Sequence, residues 1–301
     1  MALSGPDVGL FGPGSASWRI DREALLLAGG TCALLMQLAH PAVAAGVAQH
    51  SDFRGDPFGR LRRTMTASYA VVFGATPGAE RAIRRINAIH AAVSGHVPET
   101  GEPYRALDPD LLLWVHATLV DTALQVYDRY VAPLPPATAE AYHLEARRVA
   151  VRLGVPAAAL PRTLQELRAR MAALIEGGEV RVSPTARMLA PSVLYPMRLP
   201  PRIAWDAAHL ISFSVMPPAI RAGYGISWSP ARERGMRRVA SISRRLLPLL
   251  PPGLRHVPQA RAAERELAAR RRDLTPPANG DGPSLAGYDA VARRPGGPPR
   301  G

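Results

Sequence analysis

The sequence predicts an all-α fold, and three observations predict it. Apolar residues make up 47% of the 301 residues and aromatics only 6%, with Ala, Leu and Arg far ahead of Val and Ile. That is the composition of helices rather than strands. Apolar positions recur at spacings of three and four, as on one face of a helix. The prolines stand between such segments, next to cap residues, rather than within them. No strand pattern and no repeat with a period of 20–50 residues is visible.

Residues 1–17, rich in Gly, Pro and Ser, are expected to form a flexible arm. Asp21 is placed to cap a helix running to about His40, where Pro41 interrupts it, and a short segment then reaches Gln49. Pro57 suits the first turn of a helix that runs to about Phe73 and stops at Gly74. Thr76-Pro77 starts the next, through about Val93 and ended by Gly95, and residues 96–107 form a loop. Asp108-Pro109-Asp110 combines a cap, an N1 proline and a first-turn acid, starting a helix from Leu111 to about Tyr130. Further helices are expected near 136–153, 161–176, 201–222, 230–248 and 258–272. The chain thus divides into the arm, a helical domain over 18–250, a basic helix over 251–274 and a disordered tail over 275–301. That tail holds six Pro and six Gly in 27 residues.

Charge and cysteine content narrow the function. All 37 basic residues are Arg, and the net charge is +13. Residues 229–301 hold 15 Arg against 6 acids, whereas residues 1–228 hold 22 against 18. The excess is therefore C-terminal, without interleaved aromatics or a helix-turn-helix pattern. It reads as a solvated segment or a loose contact with an anionic membrane surface, not as specific nucleic-acid recognition. One Cys, Cys32, rules out a disulfide framework and a multi-cysteine metal site. Nothing near the start resembles a targeting signal, and a cytoplasmic location is expected. Ala24–Val47 runs 24 residues without a charge. It contains Gln37, His40 and Pro41, however, and is read as a buried helix before a membrane span. No GxSxG, Walker or GxGxxG motif and no HExxH pair occurs, which weighs against hydrolase, nucleotide-driven and Rossmann chemistry.

Three places carry chemistry. His40, in Gln37-Leu-Ala-His40-Pro41, must find a partner or a metal in apolar surroundings. Arg60 and Thr64 lie four apart and share a helix face, suited to a carboxylate or a bound dioxygen species. His90 shares a face with Ile83, Ile86 and Val93, where a neutral imidazole can serve a haem iron. Each has a plainer reading on spacing alone: a hydrogen-bonded core histidine at positions 40 and 90, a solvated basic turn at 60–64. His116 and His50 are weaker candidates.

Taken in order, these segments resemble the MpaB-type oxygenase family, which shares its catalytic domain with the rubber oxygenases (latex-clearing proteins). The resemblance rests on Gln37–Pro41, His50-Ser-Asp-Phe53, Arg60–Thr64, Phe73-Gly74, Ile89-His90, Tyr104–Pro109, Trp114-Val-His116-Ala-Thr118 and Gly154-Val-Pro156, and covers about residues 18–250. It implies a globin-reminiscent helical bundle around a b-type haem. His90 would be the proximal iron ligand, with Arg60 and Thr64 near the haem. It also implies an oxygenase that uses dioxygen on a small apolar, alkene or terpenoid-like substrate and cleaves a C=C bond. Two departures stand out. The rubber oxygenases carry a lysine just before the threonine, where this chain has Arg63, a poor iron ligand. They also carry an upstream acid, whereas no Asp or Glu lies between Ala24 and Ser51 here, leaving His40 or His50 as substitutes. The alternatives are a non-catalytic haem-binding or sensing protein, and a haem-free helical protein binding nucleic acid or anionic membrane through its basic C-terminus.

Overall fold

The computed structural model describes residues 7–51, 57–196 and 202–274. Among them the protein is all-α. The chain opens with α1 (Ala16–Asp21), a 3-10 turn (Ala24–Gly29), α2 (Gly30–Leu38) and α3 (Pro41–His50). The helices α4 (Pro57–Phe73) and α5 (Thr76–Ala91) follow, and then the strands β1 (Ser94–His96) and β2 (Pro103–Arg105). Next come α6 (Pro109–Val126), which ends in a π turn (Tyr127–Val131), α7 (Pro136–Arg152), α8 (Leu164–Glu176) and α9 (Pro184–Leu194). The last helices are α10 (Arg202–Val215), α11 (Pro218–Gly223), α12 (Pro230–Leu246), α13 (Pro252–Arg255) and α14 (Pro258–Leu274).

Local signals set most boundaries. Asp108 caps α6 through its carboxylate, which accepts from the Asp110 amide at 2.8 Å, with Pro109 in the first turn. Thr163, Ser183 and Ser229 do the same for α8, α9 and α12.

Several expectations are corrected. Ser15, not Asp21, caps the first helix, and Asp21 ends it. The uncharged run is no single helix: Ala24–Leu38 and Pro41–His50 meet at a bend of 102°. No single helix among the described residues is long and apolar enough to cross a membrane. The residue 96–107 loop contains an antiparallel ribbon with Gly95 opposite Tyr104. The helix expected over 201–222 breaks before Pro218, and α9 went unforeseen because Pro191 lies inside it. Of the expected arm, residues 1–6 lie outside the described set, as does the tail from residue 275. Residues 7–17 are packed, with Leu10 and Phe11 buried.

The main core lies where α2 crosses α6. Leu35, Met36, Leu113, Trp114 and Leu124 are buried there, and the Trp114 indole donates to the Met36 carbonyl at 3.1 Å. A second cluster joins Trp18 of α1, Phe73 of α4 and Val257, Ala260 and Leu267 around α14. The basic C-terminal helix is thus part of the packing. It is tied down by the buried Glu23, which holds the Arg255 guanidinium through two contacts of 2.8 Å.

Candidate functional site

The helices α4 and α5 form an antiparallel hairpin joined at Gly74–Ala75. Its closed end is clamped by the N-terminal segment. The Asp7 carboxylate accepts from the Thr76 amide at 2.9 Å and the Thr76 hydroxyl at 2.7 Å, which holds that carboxyl below its usual range. Gly9 has a φ of +79°, and a Cβ there would sit 2.0 Å from the Gly74 carbonyl oxygen, so only glycine permits this approach. Leu10 and Phe11 then pack on Val71, Ala79 and Ile83.

The candidate residues lie toward the open end. Arg60 and Ile89 are each 14 residues from the connector, at a similar level about 21 Å along the hairpin. The Arg60 side chain lies outside the described set. Thr64 and Arg63 are exposed. On α5, Ile83 is buried while Ile86, His90 and Val93 are half-buried, and Ile89 is 57% exposed. His90 Nδ1 is buried without a hydrogen-bond partner among the described residues. Burial lowers the pKa of this ring, so the neutral imidazole is favoured at neutral pH.

The β-ribbon fixes what stands beside the end of α5. His50 Nε2 donates to the Ser94 carbonyl and Gln49 Nε2 to the His96 carbonyl, both at 2.9 Å, and the Tyr104 hydroxyl donates to Gln49 Oε1 at 2.8 Å. The C-terminus of α3 is therefore pinned to the strand that follows α5. His40 stands at the other end of α3, about 15 Å away by helix rise. It is the N-cap, with Nδ1 accepting from the Ala42 amide at 3.3 Å. Burial lowers its pKa, although Glu179 and Asp108 oppose this. Of the two histidines considered as stand-ins for an upstream acid, the fold sets His50 beside the segment after α5 and gives His40 a capping bond.

Three groups with no local sequence signal emerge. Asp21 accepts from the Tyr142 hydroxyl at 2.9 Å, and burial reinforced by Glu145 raises its pKa to about 7. His116 is buried with Nε2 unpartnered, and burial plus the neighbouring His143 pushes its pKa down to about 4. His143 donates from Nε2 to the Pro161 carbonyl at 3.1 Å, leaving its buried Nδ1 without a partner. Each pairing is made across helices, so no motif of contiguous residues announces it. Among the described residues no three His, Cys, Asp or Glu side chains converge as metal ligands. An open cavity of about 320 Å³, lined by Leu160, Pro161, Arg162, Glu166 and Arg170, contains no histidine.

No solved structure matches this chain. Two curated relatives are uncharacterised proteins, Rv2237 of Mycobacterium tuberculosis and Mb2261 of Mycobacterium bovis. Each is 26% identical over 225 residues, covering 72% of this chain and 87% of the relative. The family described as "ER-bound oxygenase mpaB/B'/Rubber oxygenase, catalytic domain" matches residues 18–245, which span the α4–α5 hairpin, the ribbon and the α2–α6 core. With three quarters of its length inside that match, the chain belongs to the MpaB/rubber-oxygenase catalytic-domain family.

Proposed function

We propose that this protein is a haem b-dependent oxygenase acting with dioxygen on a small apolar, alkene or terpenoid-like substrate. Membership of an oxygenase family supports oxygenase chemistry in general. The haem, its ligand and the substrate class are the finer reading. The observation that carries that reading is His90, a neutral ring with a buried nitrogen that lacks a hydrogen bond, at the edge of a hairpin whose neighbouring Ile89 is uncovered.

These residues fit a haem. A buried ring nitrogen without a partner is costly unless something takes its lone pair or its proton. One protein ligand suffices for a porphyrin iron, because the macrocycle supplies the equatorial donors. His116 also has an unpartnered nitrogen, but it lies within the packed core between α6 and α7, where a macrocycle has no way in. His90, half-buried at an open edge, has one. Bound there, a haem would supply the one-electron and dioxygen chemistry. The chain's own contributions are simpler. His90 offers a nitrogen that burial keeps unprotonated. Thr64 offers a hydroxyl that can donate or accept. Arg60, one turn earlier on α4, offers a fixed cation for a carboxylate such as a propionate. His50 donates to Ser94, so in that tautomer its Nδ1 is left as an acceptor.

The experiment is an absorption spectrum of the purified full chain beside His90→Ala, His50→Ala and His116→Ala. A haem band in the wild type that vanishes only in His90→Ala, with partial return on adding imidazole, is the expected result. Loss in His116→Ala with retention in His90→Ala would move the ligand to α6. Dioxygen uptake with candidate alkenes, with carbonyl products, separates an oxygenase from a haem carrier.

A further inference from the structure

Fourteen large apolar side chains are exposed among the described residues, and six of them fall between residues 239 and 254. Val239, Ile242 and Leu246 follow one another at spacings of three and four on α12 and form one stripe. Leu249, Leu250 and Leu254 extend it through the turn and α13, with Leu249 77% and Leu254 71% exposed. Isolated exposed leucines are ordinary, whereas a run of them is not.

The opposite side of α12 is firmly held. Met236 and Ala240 are buried, the Ser243 hydroxyl donates to the Tyr130 carbonyl at 2.8 Å, and Arg244 donates to the Arg129 carbonyl at 3.1 Å. Arg255 is occupied by Glu23. The stripe is therefore presented on a rigid support. Beside it runs a second stripe of exposed arginines, Arg234, Arg238 and Arg245, none of which meets a carboxylate among the described residues. Residues 234–263 contain seven Arg and no Asp or Glu.

We propose that this α12–α13 face is a docking surface for an anionic lipid bilayer. An apolar stripe flanked by arginines matches the interface, where leucines enter the acyl boundary and guanidinium groups stay at the phosphates. The charge complements an anionic leaflet. Nucleic acid would use the arginines but gain nothing from six exposed aliphatic side chains. With no helix among the described residues long enough to span, the surface lies on the membrane rather than in it. The inference is independent of the haem and of the reaction.

The test is flotation of the full chain with phosphatidylcholine–phosphatidylglycerol vesicles and with phosphatidylcholine alone. The wild type should float with the anionic vesicles only. Leu249→Asp/Leu254→Asp should lower binding by about tenfold or more, because both the apolar and the charge contributions turn unfavourable. Arg238→Gln/Arg245→Gln should weaken binding and flatten its salt dependence. Leu144→Asp, at an exposed apolar residue on α7, should change nothing, and all variants should keep the wild-type circular dichroism and melting. Equal flotation of wild type and the Leu249/Leu254 variant, equal binding to neutral vesicles, or no binding to anionic vesicles overturns the proposal. So does a solution dimer that the Leu249/Leu254 variant dissolves in the absence of any vesicle binding, since the face would then belong to a second copy.

Discussion

The two halves of α4 are in opposite circumstances. Its C-terminal half is enclosed: Tyr69, Val72 and Phe73 pack among Trp18, Val257 and Leu267, and the Trp18 and Phe73 rings meet edge to face at 5.0 Å. Its N-terminal half presents Arg62, Arg63 and Thr64 to solvent. One helix is thus anchored where it carries no chemistry and uncovered where the family's arginine–threonine motif lies. The histidines repeat the contrast. His116 and His143 are locked in the core, whereas His90 stands at an edge. A candidate ligand at an edge, on an element fixed at its far end, can admit a large planar group without opening the core.

The largest expected effect falls on the anchored side. Glu23→Ala leaves Arg255 half-buried without its counter-charge and frees α13–α14 from α1, at a cost of about 3–5 kcal/mol in denaturant unfolding. A paired change, Glu23→Leu with Arg255→Met, should lose much less. If both lose equally, the ion pair is not what holds the C-terminal helices.

Next comes acid. His116 has a pKa of about 4 in the fold, against an ordinary value of 6.5. Between these values the unfolded chain binds the extra proton, so stability falls as pH drops from 6.5 to 4, by about 3 kcal/mol from this residue. His116→Asn should flatten that slope in unfolding curves measured across the window, with the other buried histidines unchanged.

Asp21 works in the opposite direction. With its pKa raised from 3.8 to about 7, the fold keeps a proton that the unfolded chain releases. Stability is therefore lost as pH rises through that window, roughly 2 kcal/mol after allowance for partial exposure. Asp21→Asn should melt higher than wild type at pH 8 and much like it at pH 4.

The smallest stability change belongs to the open end. Thr64→Ala should shift unfolding by less than about 0.5 kcal/mol, since the hydroxyl is exposed. It should nevertheless alter haem retention or turnover. Wild-type values for both would return the residue to a solvated face.

Much of the helical order was legible because its causes are local. The α4 and α5 spans follow from Pro57, Gly74 and Thr76-Pro77, and α6 from Asp108-Pro109-Asp110, each within one turn of the boundary it sets. The apolar face of α5 followed from periodicity. The ribbon escaped because strands three residues long carry too little alternation to register. The packed arm escaped because its anchor, Asp7 on Thr76, joins residues 69 positions apart.

By itself the sequence determined an all-α chain, its main helix limits, the ordered motif set that marks the family, and the candidates His90, Arg60 and Thr64. These depend on neighbours a few positions away, where backbone geometry alone relates the side chains. Only the tertiary structure decided which groups are stripped of water and which remain uncovered. Glu23 meets Arg255 across 232 residues and Tyr142 meets Asp21 across 121. His50 rather than His40 is brought beside the segment after α5, and the arginines of α12 are left beside a bare apolar stripe. Burial and electrostatics depend on distance in space, and the packing of whole helices sets that distance.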